Sequence, residues 1–138
     1  MHIIIKDIFR KYNNYYFSDQ IWYWFDKNRY EFYDLNKIRE LGYYADTQEE
    51  LIQLLGENNI IPSFRVNVYE FDKMFIDNLK NKKLSKYFSQ FKEEIDYDSM
   101  FNIYTEENNI FYFDELNKFY MNTVEEWCKK NNIIYNLK

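Results

Sequence analysis

Hydrophobic residues recur every three or four positions in several segments of the chain, which is the pattern of a helix that buries one face. The first stripe predicts a helix from about Ile4 to Asn14. The stripe is made of Ile5, Ile8, Phe9, Tyr12 and Tyr16. We therefore expect the chain to begin with an amphipathic helix.

A second stripe follows a helix-start signal. Thr47 lies three residues before Glu50, which is the capping-box arrangement in which each side chain bonds a backbone amide at the helix start. Leucine and isoleucine then follow at helical spacing as far as Gly56, a residue type that commonly ends helices. We predict a helix from Thr47 to Gly56 and a connector at 58–62.

Between these two helices the pattern changes to two aromatic runs separated by a polar turn. Bulky aromatic residues on both sides of an Asn-containing turn are typical of a β-hairpin, and we predict strands at 20–26 and 29–34. Side chains alternate along a strand, so Trp22 and Trp24 are expected on one face and Phe25 on the other. Because both faces are aromatic, we expect one to contact helices and the other to stay available.

Two more helices follow in the middle of the chain. Asn67 with Glu70 forms another cap pattern, and the hydrophobic stripe behind it extends to about Leu79. After a short joint at 81–83, a further stripe runs over 84–95. The short joint predicts that these two helices are antiparallel neighbours.

The last stripe predicts a helix from Phe113 to about residue 131. The segment before it has a weaker pattern, from which we predict a short helix at 99–104 and a turn at 106–109. The stripe residues of the last helix are Phe113, Leu116, Tyr120, Val124 and Trp127.

These elements predict an α+β fold that is mostly helical and carries an N-terminal aromatic hairpin. The chain has 138 residues, 46% of them hydrophobic and 22% aromatic, with two glycines and one proline. This composition excludes the collagen-like and the disordered linker classes. The length predicts one compact domain over residues 1–138.

Cysteine content and hydropathy indicate the compartment. Cys128 is the single cysteine, so it cannot form a disulfide within the chain. The N-terminus has too short an apolar run for a signal peptide, and no run approaches the roughly 18 residues of a membrane helix. We expect a cytoplasmic protein without a membrane partner.

Charge is distributed unevenly along a chain whose net charge is −5. A lysine block at 80–92 carries no acidic residue, and an acidic block at 93–115 carries no basic one. The lysine block consists of Lys80, Lys82, Lys83, Lys86 and Lys92. The acidic block consists of Glu93, Glu94, Asp96, Asp98, Glu106, Glu107, Asp114 and Glu115.

Two interpretations of these blocks stay open. They are either solvated faces that partly compensate each other, or the acidic block is a surface that docks on a basic partner protein, because complementary fields speed encounter and fix orientation. The net charge disfavours nucleic acid as a partner, and so does the absence of arginine from the lysine block.

Residues for catalysis or metal binding are sparse. His2 is the single histidine and lies at a terminus, while Cys128 has no histidine near it in sequence and two glutamates just before it. We interpret Cys128 as a small buried hydrophobic residue. Glu94 and Asp98 are four apart and would hold a divalent cation only weakly. We predict no catalytic residue, no metal site and no cofactor.

Short motifs at both ends of the chain resemble a known family. They are Lys6-Asp7 with Ile8, the hairpin from Tyr23 to Tyr33, Ile61-Pro62-Ser63, Tyr69, Met74-Phe75, Leu79, Leu84, and Glu125-Glu126-Trp127-Cys128 continuing to Ile133. In these residues the chain is similar to a UPF-type family of small uncharacterised bacterial proteins. The resemblance implies a cytoplasmic α+β protein of one domain and supplies no activity. Relatives carry a basic Gly-Arg-Gly-Ala-Phe-Arg-Arg-Phe stretch where this chain has residues 88–94, which implies that an anion held there by relatives is lost here.

The expected function is a non-catalytic acidic module that binds and inhibits another protein, as immunity proteins, antitoxins and phage counter-defence proteins do. Blocking an enzyme requires a complementary surface and no chemistry. Aromatic side chains beside carboxylates suit such an interface. The expected contact residues are Trp22, Trp24, Glu93, Glu94, Asp96, Tyr97, Asp98, Glu106 and Glu107.

Three alternatives stay open. An enzyme with a carboxylate site would need a deep pocket where acids converge with a raised pKa. A structural homodimer would bury the surplus aromatic face of the hairpin. A cytoplasmic housekeeping protein would need neither feature.

Overall fold

The structure, a computed structural model, describes residues 1–77 and 97–138, and describes side-chain surroundings for 1–75 and 112–138. The mixture of helices and strands confirms the α+β class. In chain order the elements are β1 (Ile3–Ile4), α1 (Ile5–Ile8), β2 (Tyr23–Asp26), β3 (Glu31–Asp34), α2 (Leu35–Glu40), α3 (Gln48–Glu57), β4 (Ile60–Pro62), α4 (Val68–Asp77), α5 (Tyr97–Lys130) and β5 (Tyr135–Asn136).

The predicted hairpin is confirmed as the antiparallel pair of β2 and β3, with Trp24 opposite Tyr33. A third strand, β4, pairs antiparallel with the other edge of β2, which gives the order β3-β2-β4. The prediction of a connector at 58–62 is therefore wrong. Ile60 and Ile61 gain hydrophobic burial and backbone pairing there, and Pro62 is tolerated because it ends an edge strand.

Both faces of β2 are covered, so the expectation that one aromatic face stays available is wrong. Trp24 is fully buried in a cluster with Tyr33, Ile38 of α2 and Leu55 of α3. Helices α2 and α3 thus cover this side of the sheet, since each supplies the buried residue that meets the indole.

The opposite face of the sheet carries an aromatic core, which we define as Phe25, Phe32, Phe64 and Trp127. The ring centroid of Phe25 lies 4.8 Å from that of Phe32 and 5.5 Å from that of Trp127. The Trp127 indole N–H donates to the Pro62 carbonyl at 3.2 Å. Of the last stripe predicted from the sequence, Leu116 and Val124 are buried and Trp127 packs in the aromatic core. Phe113 is 47% exposed, so its prediction as part of the buried face is wrong.

The hairpin turn is held by the buried carboxylate of Asp26. It accepts hydrogen bonds from the backbone amides of Asn28 at 2.9 Å and Arg29 at 3.1 Å, and from the Tyr33 hydroxyl at 2.9 Å. Tyr30 closes the turn with a φ of 55°. Burial, helped by the hydrogen bond to Asp26 and by its negative charge, raises the pKa of Tyr33 to about 12.

The cap predictions at two helices are confirmed. The Glu50 amide donates to the Thr47 hydroxyl at 3.1 Å, and the Glu70 amide donates to Asn67 Oδ1 at 3.0 Å. The first helix is shorter than predicted, since α1 ends at Ile8. The chain was not expected to form α2, which is capped by Asp34 Oδ1, the acceptor for the Lys37 amide at 2.8 Å.

The prediction of a short helix at 99–104 and a turn at 106–109 is wrong, because α5 is one continuous helix. The segment contains no glycine or proline, and asparagine costs a helix only about 0.5–0.7 kcal/mol relative to alanine. Elongation of an existing helix outweighs so small a cost. The helix predicted at 84–95 and its joint at 81–83 lie outside the described residues.

The described chain divides into two compact units. The first contains Met1–Val66 and Tyr120–Lys138, including both sheets, because β1 pairs parallel with β5. The second contains Asn67–Phe119, where the Tyr112 hydroxyl donates to Asp72 at 2.8 Å. The single-domain expectation stays a prediction. No helix that the structure describes is long and apolar enough to cross a bilayer.

Candidate protein-binding site

The structure describes the side chains of two of the expected contact residues. Trp22 lies just before β2 and is 47% exposed, so it stays a candidate. Trp24 lies in β2 and is fully buried among Tyr33, Ile38 and Leu55. Its assignment as a contact residue is wrong, because the helices that pack on this face leave no indole surface for a partner.

The expected acidic contacts lie outside the part whose side chains are described. Glu93, Glu94 and Asp96 fall between the two described ranges, 1–77 and 97–138. The others lie on α5, in a part where only the backbone is described. These others are Tyr97, Asp98, Glu106 and Glu107. An outward field from the acidic block therefore stays a prediction. At the end of the block, Glu115 already pairs with Lys118 at 3.2 Å.

Four aromatic side chains lie close together in sequence on an exposed loop between α1 and β2. We call residues 15–22 the aromatic loop. Phe17 is 80% exposed and Tyr15 73%, and the Tyr16 and Phe17 rings contact each other edge to face at 5.1 Å. Trp22, 47% exposed, adds a fourth aromatic side chain to the same short segment of the first unit.

Asn14 holds both ends of the aromatic loop. Its side chain is 1% exposed and uses all four of its hydrogen-bonding positions. Oδ1 accepts from the amides of Trp22 at 2.9 Å and Tyr23 at 3.0 Å, while Nδ2 donates to the carbonyls of Tyr23 at 3.1 Å and Ser63 at 3.2 Å. The residue entering the loop is thus bonded to the residues leaving it.

Gln48 of α3 supports the loop from the side. Its Oε1 accepts from the Ile21 amide at 2.7 Å, and its Nε2 donates to the Asp19 carbonyl. Within the loop, the Ser18 amide donates to the Tyr15 carbonyl at 3.3 Å, which closes a turn. The backbone of the loop is therefore fixed by side-chain bonds to the sheet and to α3.

A cleft of about 620 Å³ lies beside the aromatic loop. It is lined by the carboxylates of Asp19 and Glu49, by Arg65 and by the start of α3. Its two carboxylates can bind cationic side chains through charge-assisted hydrogen bonds.

Groups suited to catalysis are used structurally in the described residues. Cys128 is fully buried, which confirms its interpretation as a buried hydrophobic residue, and burial together with Glu125 raises its thiol pKa to about 12. The buried carboxylate of Asp26 is occupied by the three donors of the hairpin turn. Within the described residues, no three His, Cys, Asp or Glu side chains converge to bind a metal.

Sequence reasoning missed the aromatic loop because Tyr16 continues the stripe of the first predicted helix. A signal was present: Asn13-Asn14 and Ser18-Asp19 enclose three consecutive aromatics, and clusters of Asn, Ser and Asp are typical of loops. Comparisons with family models, with curated proteins and with solved structures found no match for this chain. The UPF-type resemblance stays a prediction.

Proposed function

We propose that this chain is a non-catalytic protein-binding module that contacts its partner through the aromatic loop and thereby inhibits it. The observation that carries the proposal is the display of Tyr15, Phe17 and Trp22 on a loop whose ends are bonded to the buried Asn14.

The size of the exposed rings and the fixed backbone of the aromatic loop both favour a low free energy of binding at this surface. Tyrosine and tryptophan dominate interface hot spots, because a rigid ring buries much area and loses little side-chain entropy. The bonds of Asn14 and Gln48 order the loop before a partner arrives. Binding therefore avoids part of the entropic cost that a flexible loop would incur.

Charge supports a basic partner protein. The chain carries a net charge of −5, and the cleft beside the aromatic loop is lined by two acids, Asp19 and Glu49, and by one base, Arg65. An arginine of the partner would meet the two carboxylates. The acidic block would add long-range attraction if its carboxylates face outward.

Site-specific photo-crosslinking tests the proposal. A photoreactive residue replaces Phe17 in one protein and Tyr44 in another, since Tyr44 is 72% exposed but lies outside the aromatic loop. In lysate of the source cells, we expect one protein to be captured from position 17 and not from position 44, and the purified partner to bind in the same way. Capture of the same proteins from both positions would contradict the proposal.

Sedimentation of the purified chain separates self-association from partner binding. A monomer at all concentrations is the expected result, because the proposed contact is with another protein. A dimer that Phe17→Ser dissociates would instead support the homodimer alternative.

A further inference from the structure

A groove of about 580 Å³ runs along the outer edge of β3. Among the strands that the structure describes, β3 is paired on one edge only, because the sheet order is β3-β2-β4. The other wall of the groove comes from β1, which pairs only with β5, and from α1. An open strand edge thus faces a cavity whose volume is typical of ligand sites.

Backbone hydrogen bonds show which residues of β2 direct their N–H and C=O groups towards β4 and which direct them towards β3. The Ser63 amide donates to the Tyr23 carbonyl at 3.0 Å, and the Lys27 amide donates to the Asn59 carbonyl at 2.8 Å. At Tyr23 and Lys27 the backbone of β2 therefore faces the β4 side. The N–H and C=O groups of successive residues point to alternate edges of a strand. Those of Trp24 therefore point towards β3.

The same alternation fixes the outer edge of β3. Tyr33 lies opposite Trp24 and bonds inward to β2. The N–H and C=O of Phe32 and the N–H of Asp34 therefore point away from β2, and of these two residues Phe32 lines the groove. These outward N–H and C=O groups can form hydrogen bonds with the backbone of one added antiparallel strand.

The side walls of the groove differ in chemistry. Phe32 faces the α1 side, where its ring stacks on that of Tyr12 at 4.4 Å and Ile8 also lines the groove. Glu31 lies on the other face of β3, where Lys37 of α2 lines the groove. A strand added to β3 would alternate between a mostly apolar wall, to which Asp7 also contributes, and a wall with one acid and one base. The base, Lys37, also pairs with Glu40 at 3.8 Å.

We propose that the groove binds an extended peptide of another protein as an antiparallel strand on β3. The central peptide residue, opposite Phe32, is apolar and faces Ile8 and Tyr12. The residue before it is acidic and lies near Lys37, and the residue after it is basic and lies opposite Glu31. The motif is thus acidic, apolar, basic in that order, because an antiparallel strand runs from Asp34 towards Glu31.

This site is independent of the aromatic loop. The two sites share no residue. The groove would bind the backbone and a short side-chain pattern of an extended peptide, whereas the aromatic loop would contact the surface of a folded protein. A failure of one proposal therefore leaves the other standing.

The probe is a fluorescent peptide, acetyl-Thr-Val-Glu-Val-Lys-Val-Thr-amide, and its matched control exchanges the Glu and Lys. Both have the same composition and net charge, so only the order is tested. We expect fluorescence anisotropy to show roughly tenfold tighter binding of the Glu-Val-Lys peptide. N-methylation of the central valine, which removes the amide that bonds the Phe32 carbonyl, should abolish binding.

Protein variants assign the binding to the groove. The double variant Glu31→Lys with Lys37→Glu should reverse the preference between the two peptides, while Arg39→Glu on the same helix and Phe17→Ser in the aromatic loop should not change it. Amide exchange should slow at Phe32 and Asp34 when the peptide binds.

Three results would overturn the proposal. The first is no binding of either peptide up to about 1 mM, which is at the weak end of measurable affinity, and the second is equal affinity for the two peptides. The third is protection of the Phe32 amide from exchange in the chain without peptide, increasing with the concentration of the chain. The last result would assign the edge of β3 to a second copy of the chain.

Discussion

The aromatic core and the aromatic loop place the same residue types in opposite environments. Phe25 is fully buried, whereas Phe17 is 80% exposed, although both lie in the first unit within nine positions of each other. The difference is in the backbone. Phe25 is on a strand paired on both edges, while Phe17 is on a loop tied down at its ends. The number of aromatic residues in the sequence thus cannot tell which aromatic side chains are buried and which are exposed.

The largest expected effect comes from emptying the aromatic core. Phe25→Ala should lower the free energy of unfolding by about 3–5 kcal/mol, because the cavity lies among rings that cannot close over it. Phe17→Ala should change it by less than about 0.5 kcal/mol, as an exposed site does. Urea unfolding of the two variants measures the contrast, and similar losses would contradict the division between core and loop.

The next largest effect comes from the residue that joins the two regions. Asn14→Ala leaves the amides of Trp22 and Tyr23 and the Ser63 carbonyl without their side-chain partner. The Tyr23 carbonyl keeps its bond from the Ser63 amide, and we expect a total loss of about 2–3 kcal/mol. Asn13→Ala is the matched control, since Asn13 accepts one bond, from the Val66 amide at 2.7 Å, and should cost about 1 kcal/mol. Faster amide exchange at Trp22 in Asn14→Ala, and not in Asn13→Ala, would show that Asn14 holds the loop.

These residues also show how far the sequence could predict the fold. The caps at Thr47 and Asn67 are local, because donor and acceptor lie three residues apart, and both were predicted. Strands β1 and β5 have two residues each and form only by pairing across the chain, so no local pattern could reveal them.

The candidate site was harder to predict than the fold. Trp22 and Trp24 have the same residue type and the same predicted face, yet one is exposed and the other buried. Their difference depends on where β2 begins, and that boundary is set by the bonds of Asn14 to Trp22 and Tyr23. Such long-range side-chain bonds leave no periodic signal.

An effect of similar size, seen only at high pH, is expected from Tyr33, the buried tyrosine of the hairpin. The pKa of Tyr33 is raised to about 12, so its neutral form is favoured in the folded state. The resulting stabilisation is complete below pH 10 and is lost as the pH rises through about 12. The free energy of unfolding should fall by about 2–3 kcal/mol over this range through Tyr33. In Tyr33→Phe this component should be missing, and an unchanged pH profile would contradict the assignment.

The smallest effect concerns chemistry rather than stability. The buried Cys128 thiol, with its pKa raised to about 12, should not react with Ellman's reagent in the folded chain at neutral pH, and should react fully in guanidinium. Rapid labelling of the native protein would contradict its place in the core.

The most direct test of the central claim measures stability and partner affinity together for Phe17→Ser, with Tyr44→Ser as the control. The claim is that the exposed rings of the aromatic loop contribute more to binding a partner than to the stability of the fold. The account predicts that Phe17→Ser keeps the free energy of unfolding within about 0.5 kcal/mol and weakens binding of the captured partner by at least about tenfold, while Tyr44→Ser changes neither. A destabilised Phe17→Ser variant that binds its partner with unchanged affinity would contradict it.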